Sequence, residues 1–384
     1  MATILSRSSL HARLQRALGR ARAVVLAGPR QSGKSTLAAM CVPRRGARWF
    51  DLEHPVDRDR LQQPLTALEP LPAGGGHGPV VIDEVQRAPD LLPVLRVLID
   101  RSDAAGQYLL LGSASPALLR QTSESLLGRV EVVEVGGFDL QEVGAARQRD
   151  LWQRGGYPLS FLAATDADSL AWRVQAVQRH VESDLPQFGV NIPAPAMLRF
   201  WRMLAHLHGQ TWNAAEPARS LGISEPTVRR YLDVLTQTFM LRQLQPWHAN
   251  LGKRQVKAPK LYFRDTGLLH ALLGIVDFDA LMAHPRSGAS WEGFVVEQVL
   301  RVGQPDEAYF WATHNGAELD LLLFKGGRRI GVEVKRMDAP KVTPSMQIAL
   351  RDLQLEALYV VYPGEHRYRL ADRIEAVPLA ALIG

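Results

Sequence analysis

Cysteine is nearly missing from this chain: Cys41 is the single one in 384 residues, so no internal disulfide can form and a reducing cytoplasm is the expected compartment. There is also no run of about 18 apolar residues, so no membrane-spanning helix and no membrane partner is expected. The N-terminus has no apolar leader. It is rich in arginine and poor in acid, and Leu10, Leu14 and Leu18 recur at helical spacing, which predicts an amphipathic helix over 8–22; a targeting presequence is the other reading of such a start. Between Arg219 and Arg264 only Glu225 and Asp233 face nine Lys and Arg residues, while the whole chain carries +6. Such a basic segment suits a polyanion, with a merely solvated surface as the alternative. Otherwise the composition is that of a globular protein, 46% hydrophobic and 22% charged, long enough for two or three domains.

Against that background one stretch stands out. Gly28-Pro29-Arg30-Gln31-Ser32-Gly33-Lys34-Ser35-Thr36 satisfies G-x-x-x-x-G-K-[ST] and follows the apolar run Ala23–Ala27. The glycines let backbone N–H groups turn inward, and the helix opening near Gly33 adds its positive end, which makes a cradle for the β- and γ-phosphates of ATP. Lys34 would neutralise phosphate charge, and Ser35 would offer its hydroxyl to Mg²⁺.

Strands and helices then alternate. Residues 47–51 read as a second strand, 56–68 as helical or irregular, and 70–78 as a Gly-Pro surface loop. Pro79–Ile82 is a short apolar strand ending in Asp83 and Glu84. At the carboxyl end of a parallel strand Asp83 would lie beside the phosphate loop and hold Mg²⁺, with Glu84 orienting and deprotonating the attacking water. Helix capping is the alternative for the pair. The strand over 107–112 ends at Ser113, which either senses the γ-phosphate or caps the next helix. Arg129, or else Arg120, is the candidate arginine for the γ-phosphate, in cis or across a subunit contact, against a surface ion pair.

Leu26–Thr36, Val81-Ile-Asp-Glu-Val-Gln86, Leu111-Gly-Ser-Ala-Ser115 and Leu127-Gly-Arg-Val130 resemble the AAA-type ATPases of bacteria and archaea that carry a C-terminal domain of long-undefined function. That likeness runs over essentially the whole chain. It implies an ATPase, with a homo-oligomer through the ATPase domain as one form it could take.

Farther on, Asp184–Pro195 reads as a linker and 165–184 as a small helical lid of the ATPase. Helices are expected over 197–208, 213–221 and 225–237, with Ser224 capping the last and Pro226 in its first turn. This spacing is that of a helix-turn-helix presenting Thr227, Arg229, Arg230 and Tyr231. Strands over 239–244 and 260–264, joined by a loop with Lys253, Arg254 and Lys257, would make it a winged helix contacting DNA. A protein–protein spacer remains the alternative.

Near the C-terminus, Trp291–Leu300 reads as a helix, Glu318–Phe324 as a strand, 325–328 as a hairpin turn and Arg329–Lys335 as the returning strand. Period-2 alternation puts Glu333 and Lys335 on one face, and hairpin register can bring Asp320 to them. Two carboxylates and a lysine suit Mg²⁺-assisted (or Mn²⁺-assisted) phosphodiester hydrolysis, with Asp320 and Glu333 on the metal and Lys335 orienting water. This resembles the core of the PD-(D/E)XK nucleases, where a preceding helix often adds a Glu; Glu292 fits that spacing better than Glu297. Leu319 stands where the family writes Pro, and no glutamine-tyrosine signature follows. A half-exposed strand is the plain alternative.

The expected fold is therefore α/β: a P-loop NTPase with a doubly wound parallel sheet (1–138), a helical lid and linker (139–195), a winged-helix module (196–275) and a small α/β nuclease-like domain (276–384). The expected function is ATP hydrolysis in a protein acting on DNA, with a C-terminal nuclease site regulated by nucleotide state. A non-cleaving ATP-driven switch or assembly protein that binds DNA or a protein is the alternative.

Overall fold

Ala23–Gly28 (β1) has no polar side chain to show to water, and every residue in it is buried. Such a strand belongs in the middle of a parallel sheet covered on both faces. The computed structural model describes residues 5–43, 47–69, 78–113, 126, 128–188, 190–247 and 258–383. β1 lies inside a five-stranded parallel sheet with Trp49–Asp51 (β2), Val80–Asp83 (β3), Tyr108–Ser113 (β4) and Val130–Glu134 (β5), in the order β2-β3-β4-β1-β5. Val25, Ala27, Ile82 and Leu110 fill the core on one face, and Val24, Leu26, Leu109 and Val133 the core on the other. The helices Ser8–Leu18 and Lys34–Cys41 each contribute to that second core, through Leu14, Ala17, Leu37 and Ala38. This is the doubly wound sheet expected of a P-loop protein, and it forms one compact unit with residues 1–138. The loop expected over 70–78 lies outside the described residues except for Gly78.

A second unit takes in Asp139–Pro186, Val190–Thr236 and Met240–Gly384. The helix Asp166–Arg179, expected to be a lid of the ATPase, belongs here. Its buried Arg173 donates to the carbonyl of Gly267 at 3.1 Å, so the helix is held by the C-terminal half. Next come the helix Ala194–His206, the short strand Gln210–Thr211 (β6), the helices Ala215–Leu221 and Glu225–Gln237, and the strands Leu241–Leu244 (β7) and Lys260–Phe263 (β8). The three strands pair antiparallel in the order β6-β8-β7. Gly222 takes φ 68° after the second of these helices, where a side chain would be strained. Ser224 Oγ accepts from Thr227 N at 3.4 Å, so the expected cap starts the helix at the expected residue.

The helix Ser287–Gly303 leads into a six-stranded sheet. Glu307–Ala312 (β9), Glu318–Lys325 (β10) and Arg328–Val334 (β11) form an antiparallel meander, with Gly326 and Gly327 both at positive φ in the two-residue turn. The helix Pro344–Asp352 then crosses to Ala357–Tyr362 (β12), parallel to β11, and Tyr368–Ala371 (β13) and Ile374–Pro378 (β14) complete the order β13-β14-β12-β11-β10-β9. Trp311, Leu319, Leu322, Met346 and Leu358 make the core beneath that helix. Among the described residues no helix is long and apolar enough to cross a membrane.

Candidate functional site

The loop after β1 can fold as it does because residue 28 has no side chain: a Cβ there would lie 2.0 Å from the carbonyl oxygen of Val135. Gln31 (φ 61°) and Gly33 (φ 90°) turn the chain into the helix Lys34–Cys41. Ser32 Oγ donates to Pro29 O at 2.9 Å, and the buried Lys34 Nζ donates to Gly28 O at 3.1 Å and Pro29 O at 2.7 Å, so the ammonium points into its own loop. Arg30 turns away to Gln187 Oε1, 2.6 Å off, and Thr36 is exposed on the first helical turn.

β3 delivers Asp83 to this loop. Ser35 Oγ donates to Asp83 Oδ2 at 2.6 Å, and Glu84 N donates to Asp83 Oδ1 at 2.9 Å. Glu84 stands in the left-handed region, φ 56°, which turns it off the line of the strand. Burial raises both carboxyls above their ordinary range; the Ser35 hydroxyl counters it at Asp83, and the Lys34 ammonium counters it at Glu84. Ser113 ends β4 in register with Gly28, so it is beside the loop, and its buried Oγ has no partner among the described residues. The residues fit a nucleoside triphosphate with its metal: a glycine-turned loop with a lysine inside it, and a hydroxyl and a carboxylate already facing each other.

Two parts of this site escaped the sequence reading. The Gln86 amide donates to the Glu84 carboxylate and accepts from Ser113 N at 3.1 Å, bridging the end of β3 to the end of β4. Arg7, buried and far upstream, donates to Ser32 O at 3.0 Å and Gly137 O at 2.8 Å, which pins the phosphate loop from behind. The sequence gives no signal for either beyond a lone arginine before a helix.

The cis reading of Arg129 is corrected. Its carbonyl accepts from Ala23 N, so it sits where β1 begins, about 16 Å of strand away from Gly28, and its guanidinium forks onto Asp100 at 2.6 and 2.8 Å. Arg120 lies outside the described residues.

In the second unit, Arg229 and Arg230 are exposed on the helix Glu225–Gln237, with Arg229 3.4 Å from Glu225. Thr227 Oγ1 is 2.9 Å from Ser224 Oγ at the cap. Tyr231, expected to face outward, is half-buried against Phe200. Lys253, Arg254 and Lys257 lie outside the described residues.

The C-terminal carboxylates do come together, around an unforeseen centre. Lys260, on β8, puts its Nζ 3.3 Å from Glu292 and 3.5 Å from Asp320, and it also pairs with Glu318. Tyr262 OH donates to Glu292 at 2.6 Å. Val334 N donates to Asp320 at 2.9 Å, and Lys335 Nζ to Glu333 Oε1 at 2.6 Å, while Glu333 Oε2 is buried without a partner among the described residues. Glu297 turns elsewhere, to Arg242 and to Arg264 at 3.5 Å. Burial and the neighbouring Asp320 push Glu292 up to about 7 and Glu333 up to about 8. Burial alone would lower the Lys260 ammonium, but Glu292, Asp320 and Glu318 prevail and hold it charged. Glu292, Asp320 and Glu333 were expected to form a metal centre; among the described residues no group of three or more His, Cys, Asp or Glu side chains is placed to hold an ion, and Glu333 pairs with Lys335 while Lys260 stands against Glu292, Glu318 and Asp320. An ammonium stands among them instead.

Comparisons with known proteins support an AAA-type ATPase domain in the first part of the chain. Residues 20–144 match the model of an AAA domain, 145–279 a domain of unknown function (DUF8612) and 287–382 another (DUF4143). The chain is 51% identical over 375 residues to the uncharacterized protein Rv2008c of Mycobacterium tuberculosis and, equally, to Mb2031c of Mycobacterium bovis, covering 98% of this chain and 84% of each relative. Among solved structures, the Walker-type ATPase PABY2304 of Pyrococcus abyssi aligns with TM-score 0.49 at 15% identity over 70% of this chain and 96% of that one. The RuvB Holliday junction branch migration motor of Thermotoga maritima aligns with TM-score 0.29 at 20% identity, covering 62% of this chain and 90% of that one.

Proposed function

We propose that this chain, which belongs to the family of the mycobacterial proteins Rv2008c and Mb2031c and carries an ATP-binding AAA domain, is an ATP-hydrolysing switch that grips DNA and does not cut it. The observation that carries the reading is the Ser35–Asp83 hydrogen bond at the mouth of a loop that already encloses Lys34. Loop amides and Lys34 would hold the β- and γ-phosphates. Mg²⁺ bound by Ser35 and Asp83 would neutralise phosphate charge. Glu84, the next carboxylate, would take the proton as water attacks the γ-phosphorus and the bond to the β-phosphate oxygen breaks.

The DNA part is supported by the order of elements from Ala194 to Phe263, helix-strand-helix-helix-strand-strand, with the sheet order β6-β8-β7. That is the layout of a winged helix, and its third helix carries the exposed pair Arg229 and Arg230. The helix Ser287–Gly303 followed by the three-stranded meander, a crossing helix and a parallel strand has the order of the PD-(D/E)XK core. Its acidic site holds Lys260 in place of a metal-ready triad, which favours the non-cleaving reading.

The test measures ATP turnover and duplex-DNA affinity in one preparation. Lys34→Ala is expected to abolish turnover, and DNA affinity of the unmodified chain to change between nucleotide-free and ATP-bound forms. Turnover retained in Lys34→Ala removes the ATP site. Metal-dependent DNA cleavage that Glu333→Ala abolishes restores the nuclease.

A further inference from the structure

Lys260 lies on an element that the acidic site does not need. Asp320 and Glu333 come from neighbouring strands of the six-stranded sheet and Glu292 from the helix before it, whereas Lys260 is reached from β8 of the other sheet, 32 residues before Glu292. Its side chain is 7% exposed and that of Asp320 11%. A primary amine is put into such a place only when opposite charges surround it, because desolvation otherwise exceeds the attraction. The aromatic face of Phe310, its centroid 5.6 Å from Nζ, completes the surroundings.

We propose that Lys260 is the resident cation of the C-terminal acidic site: its ammonium occupies the charge position a divalent metal would need, and so makes the site a permanent ion cluster that joins β8 to the nuclease-like core. This deepens the non-cleaving clause above and is independent of the ATP site. The cluster has a counterpart one and a half helical turns along, where Glu297 takes Arg242 and Arg264, also from the smaller sheet and its flank. Two carboxylates of one helix are thus both engaged by cations of β7, β8 and the residue that follows. Gly293 lies between them with no room for a Cβ, since His208 Nε2 would be 2.2 Å away. The face of the helix that would look onto a metal is the face sealed by the smaller sheet.

The experiment is a Mn²⁺ titration of the full chain without nucleotide, read by the paramagnetic resonance of free Mn²⁺, comparing the unmodified chain, Asp320→Asn, Lys260→Gln, and Lys260→Gln with Asp320→Asn. The unmodified chain and Asp320→Asn are expected to bind the same amount. Lys260→Gln is expected to gain one ion, lost again in the double variant, and to melt about 10 °C lower, with millimolar Mn²⁺ restoring part of the loss. An ion bound by the unmodified chain and absent from Asp320→Asn overturns the proposal. So does a Lys260→Gln chain that melts as the unmodified one does and gains no ion. If Lys260→Gln does not fold, Lys260→Gln with Glu292→Gln, which at about pH 8 removes one charge of each sign, is expected to fold at that pH; its failure to do better than the single variant overturns the charge balance. ATP turnover and DNA binding are untouched by these outcomes, so a failure here leaves the switch standing and removes only its non-cleaving clause.

Discussion

Replacing Arg7 by Ala tests how the phosphate loop is held open. The guanidinium donates to the carbonyls of Ser32, Gly136 and Gly137 at 2.8–3.2 Å and stacks on Phe138, 5.4 Å from the ring centroid. Hydrogen bonds from a charged donor contribute about 1.5–3 kcal/mol each. Truncation lets water reach part of the vacated space, so the expected loss is about 3 kcal/mol rather than the sum. For a unit of this size that lowers the melting temperature by roughly 10 °C. Because one of the three carbonyls belongs to the loop itself, ATP affinity should fall about tenfold, equivalent to about 1.4 kcal/mol. Arg7→Lys keeps the charge but cannot span three acceptors with one ammonium, so it should fall between the two. Calorimetry and equilibrium ATP binding on the three chains decide it. If Arg7→Ala melts within about 2 °C of the unmodified chain and binds ATP equally well, Arg7 does not shape the loop.

Three further outcomes are expected. Glu84→Gln should keep ATP binding and lose about 10²–10⁴ of turnover, the usual contribution of a positioned base, measured as single-turnover phosphate release. Stability of the second unit should decline as pH rises from about 4.5 through 7 to 8, because Glu292 and Glu333 keep their protons when folded, to about 7 and about 8, but release them at the ordinary value when unfolded. Glu333→Gln should flatten that decline in melting curves between pH 5 and 8.5; an unchanged slope refutes the assignment. Arg229→Ala with Arg230→Ala should reduce the slope of log affinity for DNA against log salt by about 2, one for each phosphate no longer neutralised, and an unchanged slope places the DNA interface elsewhere.

What could be read ahead of the structure was local. The phosphate loop needs glycine at 28 for steric reasons and at 33 for its φ, so spacing alone reveals it. Ser224, Gly222 and the Gly326-Gly327 turn are likewise fixed by the backbone within four residues, and the helix Glu225–Gln237 and its turn fall where capping places them. Arg7 and Lys260 were illegible because their partners are 25–130 and 32–60 residues away, and an isolated basic residue has no spacing to betray it. Gln86 was hidden by the carboxylates it serves. Arg129 was misplaced although the signal was present: a residue that opens a parallel strand stands at the end of the sheet opposite to a loop that closes one. The unit to which the helix Asp166–Arg179 belongs was illegible because an amphipathic helix announces a buried face and not the surface that buries it.

Strand order does not by itself decide chemistry, and the surroundings of the helix Ser287–Gly303 show what else enters. In a metal nuclease the carboxylates must repel one another until a divalent ion arrives, and a phosphodiester must be able to reach that ion. On the proposed reading of Lys260 the first condition is not met. β8 supplies the cation, so the repulsion between Glu292 and Asp320 is answered within the chain, and Tyr262 of the same strand donates to Glu292 from the side. Removing Lys260 alone would leave Tyr262 bonded to Glu292, and moving the strand alone would take an ammonium away from three carboxylates. On the proposed reading the carboxylates of Glu292, Glu318 and Asp320 serve as anchors for β8.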